Sequence, residues 1–289
     1  METKRLRVLL VSKRLPVGAA RHAGGQITYH YLMSAGSWAD VDLIALVAPH
    51  ESAANLPPVE SAVLGPVRIE LADAVSWRGM LVRALGYGRL FFEASRKVMS
   101  TEYDLIVIER SALAWIAPLL EALHGPQTSL LVAHDLWGDR LRADLEGAVG
   151  VRRGYLTVLR WLGETIETWT QAEMGGIACF DYRTKEIIAN NLRSRWKSCP
   201  PVVVFPPYYR TWDRKFDKTK HVCFYGNMGR KVNWQSAIWF HAWALPLILS
   251  EIPDVVFCVV GASPPPELRQ LHDGTGVIVT GFVQDPAET

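Results

Sequence analysis

Two sets of residues have the types and spacing for chemistry. In the first, His134-Asp135 follows the apolar run Leu130 to Ala133, and Glu109-Arg110 closes the run Leu105 to Glu109. Open α/β sheets carry functional groups at the carboxyl ends of such strands. Paired glycines, Gly24-Gly25, end the loop after the first strand-like run, just before a helix expected from Gln26. Without Cβ atoms in the way, their amides can approach a phosphate closely. In the second set, Gly226, Asn227 and Gly229 follow the short run Val222 to Tyr225 and lead through Arg230 and Lys231 into a helical stretch, Trp234 to Leu249. Strand, glycine turn and helix N-terminus in that order aim N–H groups at an anion, and adjacent cations would neutralise its charge.

Each of these readings has a plain structural counterpart. Gly24-Gly25 would serve equally as a helix N-terminal turn, and the G-x-G-x-x-G spacing of a dinucleotide site is absent. Asp135 is suited to capping the helix after it. Glu109 and Arg110 fit a solvated ion pair at a strand end as well as a pocket wall. The sequence has no H-E-x-x-H and no clustered His/Cys set, so no metal and no other cofactor is expected.

The elements that must hold these residues alternate. Strands are expected at Leu6 to Val11, Val41 to Ala48, Val67 to Leu71, Leu105 to Glu109, Leu130 to Ala133 and Ile177 to Phe180. Helices are expected to Ser34, over Trp77 to Met99, Ala112 to Leu123, Tyr155 to Met174 and Tyr182 to Asn190. Such alternation predicts a parallel sheet covered on both faces. Pro200, Pro201, Pro206 and Pro207 bracket the run Val202 to Phe205, and a polar stretch to Lys220 follows. The boundary is therefore expected between residues 205 and 206, giving domains 1–205 and 206–289. The second carries strands at Val222 to Tyr225, Val255 to Val260 and Val277 to Thr280, with helices after the first two. The fold class is α/β with two Rossmann-like domains. The second, with about seventy residues after its first strand begins, falls short of the roughly 120 that a full doubly wound domain needs.

At 289 residues, 49% hydrophobic and 21% charged, the chain suits two soluble globular domains. A net charge of +2 without basic blocks excludes nucleic acid as a partner. Cys179, Cys199, Cys223 and Cys258 are far apart, and three lie in or beside apolar runs, which predicts buried thiols in a reducing compartment. The apolar run near the N-terminus is too short for a signal peptide. Most of the eleven tryptophans, among them Trp161, Trp169, Trp234 and Trp239, are read as core packing. The stretch Trp77 to Met99 carries five basic residues against one acid, Glu93. It reads either as a face for an anionic membrane surface or as an ordinary core helix interrupted at Gly86 and Gly88.

In their order and spacing, the Gly24-Gly25 loop, His134-Asp135, VVVFPP from Val202, FYGNM followed by Asn233, VVFCVVGA and VIVTGFVQD resemble the GT-B-fold glycosyltransferases, in particular the retaining family-four group. The resemblance covers nearly the whole chain. It implies a nucleotide-sugar donor on the second domain and a glycan or lipid-linked acceptor on the first, in cell-envelope or exopolysaccharide synthesis. The location it implies is cytoplasmic, with peripheral contact at the inner face of the membrane. By the same resemblance, His134 and Asp135 serve the reacting sugar and Glu109 and Arg110 line the acceptor side. Gly24, Gly25, Gly226, Asn227, Arg230 and Lys231 meet the donor diphosphate, although the family spaces its Arg and Lys more widely. Its donor-site E-x7-E pair is absent here, and the family would place it beyond Thr289. A chain cut within its donor domain, with little activity alone, is therefore expected. The alternatives are a non-catalytic glycan-binding or assembly module and another nucleotide-sugar enzyme such as an epimerase.

Overall fold

The computed structural model describes residues 5–16, 23–47, 67–70, 77–196, 199–205 and 220–283. Pro57, Pro58, Pro206 and Pro207 lie outside the described residues, as does most of the polar stretch before Lys220. The chain divides into two compact units, Met1–Tyr209 and Arg210–Thr289.

The first unit contains β1 (Leu6–Ser12), α1 (Ala23–Ala35), β2 (Ala39–Val47), β3 (Val67–Glu70), α2 (Trp77–Ser100) and β4 (Leu105–Glu109). It continues through α3 (Ile116–His124), β5 (Ser129–Ala133), α4 (Trp137–Leu145), α5 (Gly150–Ala172), β6 (Gly176–Cys179), α6 (Tyr182–Arg195) and β7 (Val202–Val204). The seven strands form one parallel sheet in the order β3-β2-β1-β4-β5-β6-β7. Strand order reverses between β1 and β4, where Ser12 pairs in register with Glu109. A doubly wound sheet binds ligands at such a switch point, outside the strand carboxyl ends.

Helices cover both faces of this sheet, so its strands read as continuous apolar runs; all of β1 from Val8 onward is buried. One core joins Leu9, Val11, Ile106 and Ile108 to Leu90, Leu120 and Ile188, and the other joins Val8, Leu10, Val41 and Leu43 to Leu32. At the opposite end from the switch point, Asp42 of β2 is buried with Arg7 at 2.9 Å, Lys97 at 2.7 Å and the Tyr103 hydroxyl at 2.8 Å. Those three partners offset the burial that would raise its carboxyl and hold it below the ordinary range.

Several expectations give way here. Gly86 and Gly88 do not interrupt α2, which turns Tyr87, Leu90, Phe91, Ala94 and Val98 into the core. The helix expected from Ala112 is a 3₁₀ turn, Ser111–Leu113, followed by α3. Helix α4 was not anticipated, because WGDRLRADL has little apolar periodicity, and α5 starts at Gly150, five residues before the expected Tyr155. The packing role given to the tryptophans fails for Trp161, Trp169 and Trp239, all exposed. Of the cysteines, Cys179 and Cys258 are buried, Cys199 and Cys223 exposed, and all four are free thiols.

The second unit holds β8 (His221–Tyr225), α7 (Lys231–Trp239), α8 (Leu245–Glu251), β9 (Val256–Val260), α9 (Pro266–Arg269) and β10 (Val277–Gly281). Its three strands are parallel, in the order β10-β9-β8. The single helix expected over Trp234 to Leu249 is instead two α segments joined by a π turn, Phe240–Ala244. Pro246, which has no N–H to donate to the preceding turn, accounts for the widening there. Phe257 and Val259 of β9 pack with Ala237, Leu245 and Leu268 of the helices.

Candidate active site

Glu109 ends β4 at the switch point and is buried, with 2% of its surface exposed. The Ser12 hydroxyl from β1 and the Thr28 hydroxyl from α1 each donate to its carboxylate. From β5, His134 brings Nε2 to 3.0 Å from Oε1, but off the direction of a straight hydrogen bond, so the contact is a close polar pairing. Burial pushes the Glu109 carboxyl up, yet His134, Ser12 and Thr28 outweigh it and hold the group below the ordinary glutamate value. Its negative charge is thus kept inside the protein by neighbours from three other elements. The expectation of a solvated ion pair at Glu109 is overturned, because the side chain points inward to these partners.

The backbone turns sharply after Glu109. Arg110 has φ 86° and ψ 136°, a region that residues with a Cβ rarely adopt. Its N–H donates to Val132 O at 2.9 Å, and its carbonyl accepts from Leu113 N–H at 2.9 Å, which fixes the turn. This bend sends Glu109 into the sheet edge while Arg110 reaches toward Asp135, 3.9 Å away. Asp135 is 60% exposed, so that pair contributes little to stability. Buried Nε of Arg110, like Nε2 of His134, makes no hydrogen bond among the described residues. Two orphan nitrogens at one strand edge are what a polar ligand would satisfy. The His134 ring stands edge-on to Phe180, with centroids 4.7 Å apart, which limits its rotation.

Asp135 does not cap α4. Leu136 is the N-cap residue and makes no side-chain cap. Glu167 of α5 takes that role from across the interface, accepting the Trp137 N–H at 3.0 Å. Burial raises the Glu167 carboxyl to about 7, and the Trp137 N–H only partly offsets this. Gly24 and Gly25 lie in the first turn of α1 and not in the loop before it, which favours their structural reading. That same helix delivers Thr28 to Glu109. Ser12 and Thr28 were missed in the sequence. A serine closing an apolar strand is a weak signal, and a threonine inside a helix gives none.

The second unit brings Gly226, Asn227, Arg230 and Lys231 together between β8 and α7. The loops after its strands are zipped by backbone hydrogen bonds, Gly226 N–H to Val260 O at 3.0 Å, Met228 N–H to Ala262 O at 2.9 Å and Gly261 N–H to Gly281 O at 2.9 Å. A side chain at Gly261, which has φ +151°, would overlap the Gly226 carbonyl oxygen. Asn227 accepts Gly229 N–H through Oδ1, and Asn233 donates to Asn227 O, both at 2.9 Å. Arg230 is the N-cap of α7, without a side-chain cap, and both it and Lys231 are exposed. The first turn of α7 thus presents N–H groups and two cations at the carboxyl end of β8, an arrangement that attracts phosphate. Among the described residues no group of three or more His, Cys, Asp or Glu side chains could hold a metal ion.

No protein-family model and no curated protein matches the chain. Solved structures match it along nearly its whole length. Sucrose-phosphate synthase from Thermosynechococcus elongatus is 15% identical with a TM-score of 0.58, the match covering 96% of this chain and 71% of that one. The UDP-forming α,α-trehalose-phosphate synthase from Burkholderia xenovorans is 11% identical with a TM-score of 0.56, over 96% and 73% of the two chains. UGT89C1 from Arabidopsis thaliana, solved with UDP, is 11% identical with a TM-score of 0.52, over 97% and 71%. The fold is the GT-B type. Its two units are Rossmann-like, the second the smaller, and at these identities the likeness is one of fold.

Proposed function

We propose that the chain works as a retaining glycosyltransferase, moving a sugar from a nucleotide-sugar donor to a glycan or lipid-linked acceptor in envelope or exopolysaccharide synthesis. The observation that carries this reading is the glycine-lined edge of the second unit, where Gly226 to Gly229 open onto the N-terminus of α7 beside Arg230 and Lys231. On this reading the donor diphosphate sits on the α7 amides. Arg230 and Lys231 stabilise the charge that accumulates on the nucleoside diphosphate as its bond to the sugar breaks. The acceptor hydroxyl attacks the anomeric carbon from the face the nucleotide leaves, so configuration is kept. His134 and Arg110, each with an unsatisfied nitrogen, hydrogen-bond the acceptor hydroxyls, and exposed Asp135 meets the acceptor. Glu109 holds His134 in place. Gly24 and Gly25, in the first turn of α1, put no Cβ between its N-terminus and a phosphate. Four free thiols suit a reducing, cytoplasmic setting.

The test is nucleotide release from a panel of nucleotide sugars, with and without glycan and lipid-linked acceptors. Release that rises on adding one acceptor supports transfer. Specific glycan binding with no release from any donor would instead favour a binding module.

A further inference from the structure

Helix α5 turns an apolar stripe outward. Its buried residues are Gly163, Glu167, Thr168, Thr170 and Gln171, while Val151, Tyr155, Val158, Leu162, Ile166 and Trp169 stand exposed at helical spacing. The stripe repeats every eleven residues: Val151 with Leu162, Tyr155 with Ile166, Val158 with Trp169, and Leu162 with exposed Glu173 at the C-cap. Eleven residues are three helical turns almost in phase, so these positions form a straight seam. The helix cannot roll that seam inward without losing the Glu167 bond to Trp137 N–H and the Thr165 bond to Arg195. An apolar face of this length marks a contact surface.

The order along the seam reads alike from either end. About Leu162, Val158 balances Ile166, Tyr155 balances Trp169, and Val151 balances Glu173. A two-fold axis at Leu162 therefore lays apolar on apolar along two antiparallel copies of α5, with Leu162 on its own counterpart and the Tyr155 ring against the partner's Trp169. Charge at the two ends has the same logic. Arg152 in the first turn and Glu173 at the C-cap are both exposed, and the helix has no acid in its first turn and no base in its last. That is the reverse of what a helix dipole favours. In an antiparallel pair each misplaced charge is answered, because Arg152 stands beside the C-terminal end of the facing helix and the partner's Glu173. Arg153, Arg160 and Glu164 belong to the side near Leu145 of α4, with Glu164 paired to Arg160 at 2.7 Å, and lie off the seam. A partner surface of one charge sign fits less well, since base closes the seam at one end and acid at the other.

We propose that two copies of the chain pair through the exposed face of α5, antiparallel and about a two-fold axis at Leu162. The contact is isologous, so Arg152 meets the partner's Glu173 at both ends of the seam. It involves the first unit alone and stands apart from the transferase reading.

Sedimentation equilibrium across a dilution series tests it, and the mass is expected to rise from that of one chain toward twice that value with concentration. Leu162→Glu sets two like charges on the axis and should raise the dimer dissociation constant by more than about tenfold. Arg152→Glu and Glu173→Arg each set like charges together at both ends and should weaken pairing by about fivefold to tenfold. Both reversals agree with the helix dipole, so each variant should keep its fold by far-ultraviolet circular dichroism. An equimolar mixture of the two variants, or both changes in one chain, should restore the dimer. A chain that stays monomeric at every concentration would overturn the proposal. So would a dimer that these variants leave intact, or a monomer that binds lipid vesicles through this seam.

Discussion

Glu109 is where burial and charge are most at odds. With its carboxyl held below the ordinary range, it contributes stability above the ordinary glutamate value, and this is lost as pH falls through its lowered one. Glu109→Gln should remove that acid-side slope and destabilise the fold by about 1–3 kcal/mol, because one hydroxyl loses its charged acceptor. If the chain is the transferase proposed above, it should also lower transfer about tenfold to a hundredfold by loosening His134, visible in a turnover assay as a fall in kcat. Glu167 works in the opposite direction. Its carboxyl titrates near 7 in the folded protein, so stability falls as pH rises from the ordinary glutamate value to about 7. Glu167→Gln keeps an oxygen for Trp137 N–H and should stabilise the protein above pH 7 by roughly 2 kcal/mol. Urea melts of both proteins across that range would show the curves converging in acid. Neither role could be read in the sequence, because Glu109 resembles a solvated strand end and Glu167 a helix surface position until Ser12, Thr28 and Trp137 are brought up to them.

At the scale of elements, the parallel strands were legible because strands covered on both faces leave continuous apolar runs such as LRVLLVS and VFCVV. What periodicity could not convey was the direction a helix faces. The tryptophans of α5 occupy helical positions as core residues do, yet they point outward, because the inward side is filled by Glu167, Thr168 and Gln171. Helix α4 escaped notice for a related reason, since its start is fixed by a cap from α5, not by a local Ser, Thr, Asp or Asn. The glycine turns of the second unit were clearer. There the need for close backbone approach is visible as Gly226, and Gly261 reinforces it. Gly261→Ala combines a positive φ with overlap on the Gly226 carbonyl, and should cost about 2 kcal/mol or more in thermal unfolding of the second unit. Gly274→Ala, with φ +78° but open space around it, should cost less.

For the whole molecule, the two-unit GT-B fold was legible from the order of its motifs, whereas the donor, the acceptor and the linkage were not, since fold alone does not fix function. The account rests on the second unit being a nucleoside-diphosphate site built by β8, the glycine turn and the start of α7. Calorimetric titration of UDP, GDP and ADP into the purified protein, and into Arg230→Ala, tests this most directly. Arg230 is exposed and makes no side-chain cap, so its loss should leave the melting temperature unchanged. The predicted result is binding of at least one of the three nucleotides that weakens about tenfold or more in the variant, the loss of one charge-assisted phosphate contact. Binding that Arg230→Ala leaves untouched, or no binding of any of the three, would contradict it.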